Sequence, residues 1–176
     1  MSEEKDMKAK KIALYGMCIA LAFLFSYIES LIPVNGLVPG MKLGLTNVVV
    51  VFALYYMEEK GAFIINMVRI LLVAATFGNA VSLWYSLAGG VLSYLVMVLL
   101  KHSKGVHLIT VSVAGSVAHI AGQILVAAIL LHTSAVGWYF GVLCISGIVA
   151  GVAIGILTAL VMNRIPKNLL RWTDGN

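Results

Sequence analysis

The chain has 176 residues, is 61% hydrophobic and only 11% charged, and carries a net charge of +5 with a mean hydropathy of +1.02. Soluble domains of this size sit near roughly 45–50% apolar and about 25% charged, so a soluble fold is excluded and an integral membrane protein expected. No hydrophilic stretch is long enough to form a second domain, and the basic residues lie in short loops and tails, where they orient a membrane protein rather than bind nucleic acid.

Residues 1–10, MSEEKDMKAK, read as an N-terminal tail on the cytoplasmic side. The apolar stretch that follows runs from about Lys11 to Ile32 and stops at Pro33. It exceeds the core of a signal peptide and is not followed by a small-x-small cleavage site, so it reads as a retained first span. After the loop VNGLVPGMK, a second stretch covers about Leu43 to Met57 and is closed by Glu58, Glu59, Lys60 and Gly61. The third covers about Ala62 to Phe77, the fourth Ala80 to Leu100, the fifth Val106 to Leu131 and the sixth Val136 to Met162, all within one transmembrane domain over 11–163. The second and third are short against the ~20 residues that usually cross a bilayer. They form either a tight hairpin through a thin part of the bundle or two halves of a re-entrant element; six full spans is the preferred count. Residues 164–176 are a cytoplasmic C-terminal tail.

The charges support an even number of crossings. Lys5, Lys8, Lys10, Lys11, Lys60, Lys101, Lys104, Arg164, Lys167 and Arg171 fall on one side, and of the 12 basic residues only Lys42 and Arg69 remain. The positive-inside bias places both termini in the cytoplasm. Small residues recur at four-residue spacing at Gly147, Gly151, Gly155 and Ala159, at Ala114, Ala118 and Gly122, and in the first span at Ala9, Ala13 and at Gly16, Ala20. Such rows allow close approach of helix backbones in lipid. The fifth- and sixth-span rows suit packing within the bundle, while the first-span rows suit a separate protein equally well. Cys18 and Cys144 fall inside spans at different depths, so neither a disulfide nor a metal site is expected.

Most polar side chains within the spans gather in the outer half. Glu29 ends the first span, Lys42 and Asn47 begin the second, and Asn79, Trp84 and Tyr85 begin the fourth. His119 and Gln123 share a face of the fifth, and Trp138 and Tyr139 begin the sixth. Arg69 sits at the middle of the third, in IINMVRILLVAAT. The aromatics suit an interfacial belt, and Glu29 suits an ion pair with Arg69 or Lys42. An arginine at mid-membrane faces a cavity or a partner, and two cations against one carboxylate favour an anionic or phosphate-bearing ligand. Glu29, Lys42, Asn47, Arg69, Asn79, Trp84, Tyr85, His119 and Gln123 are the candidate substrate-binding residues. There is no GxxxxGK[ST] phosphate loop, no HExxH, no GxSxG and no other cofactor motif, and the only aspartates are Asp6 and Asp174. Self-contained catalysis is not expected.

PGMKLGLTNVVVVFALY (39–55), the Arg69 segment, GNAVSLWYSLAGGVLSYLVM (78–97) and SVAGSVAHIAGQILVAA (112–128) resemble the bacterial membrane family called Gx transporter, also known as heptaprenyl diphosphate synthase component I. The chain departs from it at His119-Ile120, where the family tends to have His-Asn. That family is similar to the substrate-binding S components of energy-coupling-factor (ECF) transporters. The resemblance implies a multi-pass protein of the bacterial cytoplasmic membrane, an all-α bundle of six transmembrane helices with an outward pocket for a small molecule. It further implies a coupling subunit docked on Ala9, Ala13, Gly16 and Ala20, with ATPases in separate chains. An alternative it implies is a non-transporting accessory component of a prenyl diphosphate synthase or of an extracellular electron-transfer and flavinylation system.

Overall fold

The computed structural model describes residues 2–31, 44–131 and 136–165, which form six helices: α1 (Ser2–Leu31), α2 (Asn47–Tyr56), α3 (Glu59–Thr76), α4 (Ala80–Lys101), α5 (Leu108–Leu131) and α6 (Val136–Arg164). Four of them, α1, α4, α5 and α6, contain stretches long and apolar enough to cross a membrane. The helix ends fall close to those expected, with two informative differences. α1 begins at Ser2, inside the stretch expected to be a tail, because nothing in SEEKDMKAKK breaks a helix. α2 has only 10 residues, or ~15 Å at ~1.5 Å per residue, about half of the ~30 Å hydrocarbon layer.

Successive helices run in alternating directions. Lys11 of α1 pairs with Glu58 and Tyr56 of α2 donates to the Ile165 carbonyl at the end of α6 (2.7 Å). Lys101 Nζ at the end of α4 reaches Glu59 Oε1 (3.1 Å) and the Leu54 carbonyl (2.9 Å). One end of the bundle therefore holds Lys11, the α2–α3 turn, the α4–α5 turn and the end of α6; it is called the basic end here. At the opposite end Phe77, after α3, packs its ring against Phe23 and Tyr27 of α1.

Two kinds of packing build the bundle. α5 packs closely on α4 and α6, and glycines make the approach possible. A Cβ on Gly122 would stand 2.6 Å from the Ala88 carbonyl oxygen, and one on Gly151 2.6 Å from the Val113 Cα. The rows expected to pack within the bundle do so: Gly147, Gly151 and Gly155 all face α5. α2 is the centre of the other half and touches every other helix. Val50, Val51, Ala53 and Leu54 are completely enclosed, so this short helix is apolar on the sides that face protein, as a helix largely enclosed by its neighbours must be.

Candidate functional site

At the end opposite the basic one, α1 and the residues leading into α2 are clasped by two hydrogen bonds. Ser26 Oγ and Thr46 Oγ1 lie 2.9 Å apart, and the Gly44 backbone N–H donates to Glu29 Oε1. Gly44 has φ +84°, a left-handed conformation that suits glycine, and its carbonyl accepts from Asn47 N (2.8 Å) to start α2. Glu29 is 3% exposed, so its carboxylate is held inside the protein by this backbone donor.

Arg69 is 4% exposed and lies midway along α3. Its Nε (3.3 Å) and Nη2 (2.9 Å) both donate to Asn66 Oδ1, one turn earlier, and Asn66 Nδ2 donates to the Gly90 carbonyl of α4 (3.1 Å). Among the described residues, the Glu29 carboxylate is near enough for its charge to act on Arg69. A guanidinium has five N–H groups in a planar fork; the Asn66 amide oxygen engages one edge, and among the described residues no hydrogen bond is made by the other, which has the geometry to meet an oxyanion.

Asn47, His119 and Gln123 form a neutral group beside this pair. Gln123 Nε2 and His119 Nε2 are 3.2 Å apart, an arrangement in which the amide donates and the ring accepts. A Cβ on Gly44 would lie 3.2 Å from Asn47 Nδ2 and 3.9 Å from His119 Cδ2, so the start of α2 meets α5 here. Asn47 Nδ2 and Gln123 Oε1 are buried and meet no hydrogen-bond partner among the described residues. Each such group costs roughly 1–3 kcal/mol if left unmet. Adjacent glycines of α4 serve the two groups: a Cβ on Gly89 would crowd the His119 ring, and one on Gly90 would crowd Asn66.

Of the nine expected binding residues, the structure gathers Glu29, Asn47, Arg69, His119 and Gln123 into the bundle interior. Tyr85 is also buried (3% exposed), but packs beside Ala127 of α5. Asn79 is exposed and caps α4, its Oδ1 accepting from Ser82 N (2.8 Å) while Ser82 Oγ accepts from Asn79 N (3.0 Å). Trp84 is 60% exposed on the outer face of α4. Lys42 lies outside the described residues. Ala9, Ala13, Gly16 and Ala20 are exposed along one side of α1, and Gly16 has open space where a side chain would stand. Asn66 and Gly44 were not foreseen. Asn66 carried a usable signal, since it precedes Arg69 by three residues and so shares its face; the Gly44 N–H carried none.

Six helices with four membrane-length apolar stretches, closed around a buried arginine, define a helical protein of membrane type. The chain belongs to the family described as heptaprenyl diphosphate synthase component I, whose model matches residues 18–161. No curated protein and no solved structure matches it.

Proposed function

We propose that this chain is a membrane-embedded binding and translocating subunit for a small anionic or phosphate-bearing molecule, similar to an ECF S component and energised by separate subunits. One observation carries the reading: among the described residues the buried, mid-helix Arg69 guanidinium hydrogen-bonds only a neutral amide, while the carboxylate acting on it already accepts from a backbone N–H. A structural ion pair would bring arginine and carboxylate together as a fork on two oxygens. Asn47 and Gln123 add neutral hydrogen-bonding groups that suit a ligand with both anionic and uncharged polar parts. In this reading all six helices form the membrane domain, with the basic end and both termini in the bacterial cytoplasm and the Glu29 end outward. α2 and α3 make a hairpin of which α2 traverses about half the bilayer.

The test is binding by the purified full chain to a panel of vitamins, flavin mononucleotide and isoprenyl diphosphates, with native mass spectrometry to find copurifying molecules. Binding without turnover, weakened roughly 10- to 100-fold by Arg69→Ala and sensitive to salt in the wild type, is expected. An Arg69→Ala protein that folds and binds with unchanged affinity and salt dependence refutes the site.

The family description favours a second reading, a non-catalytic accessory component of a prenyl diphosphate synthase. Such a scaffold would use the exposed small-residue side of α1 to hold its partner. Co-purification with a prenyl synthase, together with tolerance of Arg69→Ala and His119→Ala, would select it over transport.

A further inference from the structure

A second concave surface lies away from the Arg69 group, on the side where α1 and α6 flank α2. A cavity of about 230 Å³, partly open to the outside, is lined by Met17, Leu21 and Phe25 of α1, Phe52 of α2, and Leu157 and Val161 of α6 among others. α1 and α6 do not pack extensively on each other here, so α2 forms the floor between two walls. Met17 is 55% exposed, Leu157 46% and Leu21 41%, although all three belong to apolar membrane-length stretches. The surface bounding the cavity presents no polar atom. Whatever lies in it is therefore hydrocarbon along this length, about 12 Å from Met17 to Phe25 at ~1.5 Å per residue.

The helical register says more about the occupant. Lys10 precedes Met17 by seven residues, and Arg164 follows Leu157 by seven and Val161 by three, so both continue the lining faces towards the basic end. Both are exposed. Tyr56, donating to the Ile165 carbonyl, fixes the end of α6 at this mouth. An apolar trough that runs out between two cations, one on each wall, complements a molecule with a chain and a negatively charged head.

We propose that this trough is a binding site for an anionic glycerophospholipid, with an acyl chain between α1 and α6 and the phosphate between Lys10 and Arg164. It is separate from the Arg69 group in both location and chemistry. A lipid held there would fill the gap between α1 and α6 and tie the first helix to the last.

The test uses the full chain in phosphatidylcholine vesicles containing a minor fraction of phosphatidylglycerol with a photoreactive diazirine on its acyl chain, and maps the adducts by peptide mass spectrometry. Met17, Leu21 and Val161 are expected to label about fivefold or more above Ile148 and Val149, which are exposed on α6 outside the trough. Lys10→Gln and Arg164→Gln are each expected to lower that labelling about fivefold, and neither should change labelling by the matching phosphatidylcholine probe. Met17→Trp, at an exposed position, should fill the trough and reduce labelling of Val161. Equal labelling of the trough and the Ile148–Val149 face would reduce the contact to ordinary annular lipid and overturn the proposal. So would equal labelling by the two headgroups, or displacement of the probe by a polyprenyl phosphate at lower concentration.

Discussion

Arg69 and Glu29 share one electrostatic problem and solve it through neighbours. Arg69 is spread over the Asn66 amide and Glu29 over the Gly44 N–H, so neither charge is buried without a hydrogen bond. If an anionic ligand binds Arg69, Glu29 competes with it. Glu29→Gln keeps an oxygen for Gly44 but removes the competing charge, so anion affinity should rise, by about fivefold for ~1 kcal/mol. Titration of both proteins with the same ligand measures this, and an unchanged affinity with lowered stability would make Glu29 only a structural counter-ion. Asn66→Ala strips an acceptor from Arg69 and a donor from Gly90 in one step. It should destabilise the fold by about 2–4 kcal/mol, measured by thermal unfolding in detergent, with greater loss than at the exposed cap residue Asn79.

Helix packing explains which glycines matter. Gly122→Ala places a methyl 2.6 Å from a carbonyl oxygen of α4 and 2.9 Å from the Gly89 Cα, atoms of backbone that cannot turn aside. A loss of about 1–3 kcal/mol is expected from the forced separation of α4 and α5. Gly16→Ala meets nothing within 4 Å and should leave unfolding unchanged or slightly raise stability through helix propensity. The same substitution tests whether that side of α1 docks a partner, because co-purification with a coupling subunit would fall while stability did not. At the basic end, burial pushes the Glu59 carboxyl up, but hydrogen bonds from Lys101 and His102 outweigh it and hold the group below its usual range. A carboxylate depressed in the folded state contributes stability above its unfolded pKa and loses it as pH falls through the folded value. Glu59→Gln should therefore cost about 1 kcal/mol or less near neutral pH. The difference should shrink as pH falls below the ordinary carboxylate range and vanish only below the depressed folded value, where the wild-type carboxyl is protonated too.

The molecule joins a tightly packed α4–α5–α6 unit to a group organised around the short α2, with the polar side chains where the two meet. Asn66 reaches α4 from α3, and His119 stands on α5 beside the start of α2. Motion between these units would change the surroundings of Arg69 directly, as the proposed translocation would require. The orientation has its own test. In a protein whose Cys18 and Cys144 are replaced, Ser103→Cys in the α4–α5 turn should react with an impermeant maleimide only from the cytoplasmic side. Thr76→Cys at the end of α3 should react only from outside, and the reverse pattern would invert the topology.

Composition and apolar run length were enough to establish a helical membrane-type chain, and Pro33 and the Glu58–Gly61 turn marked helix ends to within a few residues. These features are local, since a helix closes its own hydrogen bonds and the sequence alone carries its period. Arg69 was conspicuous for the same reason, as a charge in a run that otherwise excludes charge. The length of α2 was less legible, because the apolar residues before it and within it read as one stretch. Only tertiary structure joined Glu29 to Gly44, Arg69 through Asn66 to Gly90, and His119 to the start of α2. It also separated Trp84 and Asn79 from that group, though by depth they had looked equivalent to Glu29 and Asn47. Depth follows from position along a helix; which way a side chain faces across the bundle follows from how glycine-lined helices cross, and that is decided only when they meet.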